Sequence, residues 1–153
     1  MLTGLLHTHG LLRYIILILL LITIVQSLSG WLGKKTYTPT HRKLTLFTMI
    51  FTHTQLLVGL ILYFISPTVQ LGLANMGEAM KDASLRFWTI EHMAMMLIAV
   101  VLITLGNIRS KKAATDEAKH KQVAIFFILA LIIIFAAIPW PWSAVARGWM
   151  PGM

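Results

Sequence analysis

Cysteine is absent from this 153-residue chain, which excludes disulfides, thiolate metal ligands and covalent c-type haem attachment. Charge is scarce as well. Asp, Glu, Lys and Arg together make up 12% of the residues, about half of what a soluble domain carries. Acidic residues are the rarest of these, five against thirteen basic ones, for a net charge of +8. The chain has no evident internal repeat, no low-complexity tract and no polar stretch long enough to fold as a soluble domain beside the rest.

What it has instead is apolar length. Hydrophobic residues are 58% of the total and fall into four runs, 11–28, 44–65, 87–108 and 123–138, the last extended by PWPW to Trp142. Each approaches or exceeds the ~20 residues that a helix needs to cross about 30 Å of hydrocarbon. A secretory signal is a poor reading of the first run, because no Lys or Arg precedes it and Arg13 lies inside it. The sequence therefore predicts one all-α domain over residues 1–153. We expect a four-helix up-down-up-down membrane bundle with spans at about 11–29, 44–65, 87–108 and 123–142.

The basic residues are segregated. Lys34, Lys35, Arg42 and Lys43 occupy one connection, and Arg109, Lys111, Lys112, Lys119 and Lys121 another. The positive-inside rule puts both connections in the cytoplasm and both termini outside, on the periplasmic face of a bacterial inner membrane. Such charge fixes topology and meets anionic lipid; it gives no reason to invoke nucleic acid. The longer outer link, from Ser66 to Arg86, has enough spaced apolar residues for a short interfacial helix, with Ser84 as N-cap of the third span. Trp88, Trp140, Trp142 and Trp149 mark the outer boundary and Trp31 the inner one.

The fourth run carries no polar side chain, so chemistry has to come from the other three. His9 and Arg13 are four apart and share a face of the first span. On the second, Thr48, Thr52, Gln55 and Gly59 form one stripe, with His53 on a neighbouring stripe through Thr45 and Met49. The third holds Trp88, Glu91 and His92, followed on the His92 face by Met95, Met96 and Ala99. At 1.5 Å per residue, His53 falls near the midplane, His92 roughly 8 Å and His9 roughly 15 Å toward the outer face. An ionised group at such depth faces inward and finds a partner, so the expected pair is Arg13–Glu91. Replacing Arg13's partner, an acidic ligand group would serve equally. His7, His41 and His120 fall in the aqueous or interfacial margins.

Buried imidazoles on neighbouring helices suit haem b, whose iron takes two axial nitrogens and whose ring takes apolar walls. His9 with His92 is the expected pair and His53 the substitute. Arg13 would neutralise a propionate, Glu91 would orient Arg13 or gate protons, and Thr52 and Gln55 would add supporting hydrogen bonds. Gly10 and Gly59 would let a flat ring approach a backbone. Copper is the competing reading. Met1, Met76, Met80, Met93, Met95, Met96, Met150 and Met153 lie toward the outer side, and thioether with imidazole suits Cu(I). Zinc hydrolysis fits poorly, since it takes three close ligands and an open position. A third reading is a scaffold or accessory subunit without a cofactor, its polar residues locking helices together.

The segments LLHTHGLLRYIILILLL and LFTMIFTHTQLLVGLILYFISP, the pair Glu91–His92 and the ending IPWPW together resemble a small bacterial family of four-span inner-membrane proteins labelled cytochrome b-like. The likeness covers nearly the whole chain. More distantly, the layout is similar to copper-resistance D-type membrane proteins and to haem-containing protoporphyrinogen oxidases. In the latter a first-span histidine binds haem, which implies His9; their third-span lysine has no counterpart here, where His92 stands nearest. The leading expectation from the residues is a membrane b-type cytochrome exchanging electrons with quinone or a respiratory partner, with oligomeric state and enzyme activity left open.

Overall fold

A computed structural model describes residues 1–150. Its elements are α1 (Leu2–Leu32), α2 (Pro39–Ile65), α3 (Pro67–Ala74), α4 (Met76–Lys81), α5 (Ala83–Arg86), a π-helical turn (Phe87–Glu91), α6 (His92–Lys112) and α7 (Asp116–Ala137). No strand occurs among the described residues. Four helices are long and apolar enough to cross a membrane: α1, α2, the continuous stretch Ala83–Lys112, and α7. All four start before the expected spans, α2 at Pro39, the third at Ala83 and α7 at Asp116. α1 begins at Leu2, and α7 ends at Ala137, leaving Pro139 to Trp142 in the turns beyond it.

The helix ends follow local chemistry. Thr38 caps α2, with Pro39 at the first helical position, and His41 completes a capping box by accepting from the Thr38 N–H at 3.1 Å. Thr115 caps α7 ahead of Asp116 and Glu117, whose charge suits a helix N-terminus. α6 ends on Arg109, Lys111 and Lys112, which suit the opposite pole. The cap before the third long helix is Asp82 and not Ser84: its carboxylate accepts from the Leu85 N–H at 2.7 Å. The earlier position lets α5 run into the π turn without a break.

α6 packs along α7, α1 meets both α2 and α7, and α2 closes the ring against α6. Leu20, Ile103, Val123 and Phe127 have no more than traces of exposed surface and fill the centre with Ala99 and Ala130. Small residues permit the tightest approach. A Cβ at Gly106 would stand 2.8 Å from the Phe126 Cβ, so α6 and α7 touch there only because the residue is glycine. The outward faces are as apolar as the core: Ile18, Leu21 and Val25 on α1, Leu57, Ile61 and Phe64 on α2, and Ile132 and Phe135 on α7 are all exposed. A soluble bundle would place charge there. Polar groups turn inward instead, and Thr23 on α1 meets Thr48 on α2 with hydroxyls 3.0 Å apart.

Candidate functional site

At the end of the bundle that holds the start of α1, a cavity of about 330 Å³ opens between the helices. That is the lower part of the size range of small-molecule sites. Its walls come from all four long helices and α3, and are apolar along Leu6, Ile16, Leu62, Val69, Val100 and Ile138. The polar groups reaching it include His9, Arg13, Gln55, His92 and Arg147.

His92 is held in one tautomer. Its Nδ1 lies 2.8 Å from the Ala137 carbonyl, which can only accept, so Nδ1 carries the proton and Nε2 keeps its lone pair. That carbonyl is available because α7 ends there, and residue 141, four positions on, is a proline with no N–H to give. The π turn stands immediately before His92, a distortion that recurs at functional sites in helices. Phe87 and Trp88 flank the imidazole with ring centres 5.7 and 5.6 Å away.

His9 faces it from α1. The two ring centres are 6.4 Å apart and the planes meet at 63°. The Gln55 side chain fastens this part of α1 to α2 by donating to the His9 carbonyl at 2.8 Å. Gly59 leaves room for the imidazole, since a Cβ there would come within 3.2 Å of the His9 Cε1. His9 Nδ1 and Gln55 Oε1 are buried without hydrogen-bond partners, a costly state for polar groups unless something further engages the site.

The remaining expectations divide. Arg13 reaches the cavity, but it does not pair with Glu91. Its Nη2 donates to the Trp149 carbonyl at 2.6 Å and to the Tyr14 hydroxyl at 2.9 Å. Glu91 is bound instead by Arg86, five residues earlier, at 2.6 Å. A partner carried on the same rigid stretch is closer than one on another helix. His53, the expected substitute, is not brought to the cavity. Its Nδ1 lies on the Met49 carbonyl at 2.8 Å and its Nε2 3.3 Å from the Thr104 hydroxyl. Thr52 lines the cavity while its hydroxyl donates to the Thr48 carbonyl. Of the methionines, Met93 and Met96 line the cavity, Met76 and Met80 are exposed on α4, and Met153 lies outside the described residues.

His120 departs furthest from its expected place in the aqueous margin: it is wholly buried. Its ring packs over Gly30 and edge-on to Tyr37 and His41. Arg147 is the site residue that sequence reasoning missed. Its place is set by tertiary structure: the chain after α7 folds back and brings it over the Trp88 ring at 4.2 Å, beside the cavity.

Among the described residues no group of three or more His, Asp or Glu side chains is placed to hold a metal ion. The metal-binding side chains that line the cavity are two imidazoles, His9 and His92, and two thioethers, Met93 and Met96, which is not the donor set of a closed zinc site. His9 and His92, with ring centres 6.4 Å apart, are the two side chains that would hold a haem iron at this cavity. No family model, curated protein or solved structure matches this chain. Fold and site alone define its class: an all-helical protein with four membrane-length apolar helices around an apolar cavity faced by two histidines.

Proposed function

We propose that this protein is a multi-pass b-type cytochrome of the bacterial inner membrane. It binds one haem b between His9 and His92 and passes electrons to or from quinone or a respiratory partner. The four long helices cross up-down-up-down, with both termini on the outer face and the basic connections in the cytoplasm. The reading agrees with the resemblance to four-span cytochrome b-like proteins. The observation that carries it is the facing pair His9–His92, with ring centres 6.4 Å apart in an apolar cavity.

Bound haem supplies a one-electron ferric–ferrous couple. The chain's own residues do the rest. The Ala137 carbonyl fixes the His92 tautomer with Nε2 as donor atom. Gln55 ties down the α1 backbone that carries His9. Ile16, Leu62 and Val100 exclude water from the cavity, and Arg13 offers a cation to an acid group at its edge. Glu91, being paired with Arg86, contributes to the π turn and not to Arg13.

Protein purified after expression with ample haem supply tests this. A Soret band and stoichiometric haem are the expected result; a colourless preparation rejects the reading. Copper is the second reading, because Met93 and Met96 line the same cavity as His9 and His92, a soft donor set for Cu(I). Stoichiometric copper that disappears in the Met93→Leu/Met96→Leu variant would favour it over haem.

A further inference from the structure

Two guanidinium groups border the cavity, and among the described residues none of the five Asp and Glu carboxylates answers them. Glu91 is held by Arg86 and Glu78 by Lys81. Asp82 caps α5, while Asp116 and Glu117 lie at the start of α7, the other end of the bundle. Arg13 is anchored through Nη2, yet its Nε is buried with no partner. Arg147 rests on Trp88 and makes no side-chain hydrogen bond or ion pair among the described residues. Both arginines are half-buried, and withdrawing a cation from water without a counter-charge has a cost. A fold that brings two such cations to one apolar cavity is complementary to a ligand with acid groups.

The segment carrying Arg147 is built to hold it there. After α7 the chain turns back, with Arg147 N–H donating to the Pro139 carbonyl at 3.1 Å. Trp140 and Trp142 stack with ring centres 5.2 Å apart, and Trp149 closes against both. The Trp149 carbonyl is then pinned to α1 by Arg13 and by the Tyr14 hydroxyl, at 2.6 and 2.7 Å. One carbonyl thus ties the return segment, which carries the second arginine, to the first.

We infer that the cavity selects a flat apolar ligand bearing two carboxylates, which Arg13 and Arg147 hold, with the segment after α7 as the clasp that positions Arg147. This rests on the haem reading, since haem b carries two propionates, and it adds Arg147 as a specificity-determining residue.

Iron protoporphyrin and its dimethyl ester share the ring and the iron but differ in the two acids. Apo-protein purified from haem-limited cells is titrated with each, following the Soret band. The free acid is expected to bind at least about tenfold more tightly than the ester, the scale of a charge-assisted hydrogen bond. Arg147→Gln should erase most of that preference by weakening the acid alone, and Arg147→Lys should restore part of it. Equal affinity of the unaltered protein for acid and ester overturns the inference while leaving the haem reading intact. So does an Arg147→Gln variant that weakens both ligands alike. Binding of neither porphyrin removes both proposals together.

Discussion

The molecule contains two pairs of apposed histidines, one at each end of the bundle, and they are built differently. His9 and His92 stand 6.4 Å apart across a cavity, with one ring oriented by a carbonyl and the other with a buried nitrogen unmet. His41 and His120 are closer, 4.8 Å, and the space around them is filled by Tyr37, 4.9 Å from His120. His41 is occupied with capping α2, and Gly30 lies directly beneath the His120 ring. Apposition alone therefore does not make a ligand site. The difference lies in whether the fold leaves room beside the rings: a cavity opens at His9 and His92, whereas Tyr37 and Gly30 pack against the His120 ring, whose Nδ1 is likewise buried without a partner.

Substitutions at the two ends should separate on that ground. The largest effect is expected at the cavity: His9→Ala and His92→Ala should each lower haem retention by on the order of 10–100-fold or more, the scale known for disturbing a metal's supporting shell. His120→Ala should leave the spectrum intact and lower thermal stability. Bleaching by the His120 change, with His9 and His92 dispensable, would invert the comparison. If His92→Ala altered only assembly or stability in a protein with no spectrum, the cofactor-free scaffold would be the better account.

Glycine substitutions sharpen the contrast. At Gly30 a Cβ would collide with the buried His120 ring, and Gly30→Ala should cost about 1–3 kcal/mol in unfolding without changing any absorption band. Gly59→Ala presses on His9 Cε1 from 3.2 Å. It should cost about 1 kcal/mol and, if His9 is the haem ligand we propose, move the Soret band. The smallest effect belongs to the bundle's middle. A double-mutant cycle on Thr23→Val and Thr48→Val should return a coupling of about 0.6 kcal/mol, the usual worth of an interhelical hydrogen bond in membrane proteins.

The fold was largely legible because membrane length and apolarity are written in consecutive residues, and the four runs became the four long helices. The depth estimate brought His9 and His92 to the same end, and the Thr48–Gly59 stripe reached Thr23, the cavity and His9 as its inward face required. Depth carries no azimuth, however. His53 turns to Met49 and Thr104, because a neighbouring threonine on α6 takes its free nitrogen. Arg13 and Glu91 were matched by charge, yet Arg86 was nearer in covalent terms. Arg147 and His120 depend on a fold-back and on a glycine in another helix, neither of which has a local signal.

Electron paramagnetic resonance of the ferric protein tests the central claim most directly, because it reads the iron's axial partners. The account predicts a low-spin, six-coordinate signal of two imidazoles, converted to high spin or lost in His9→Ala and in His92→Ala alike. A low-spin signal that survives either substitution would contradict it.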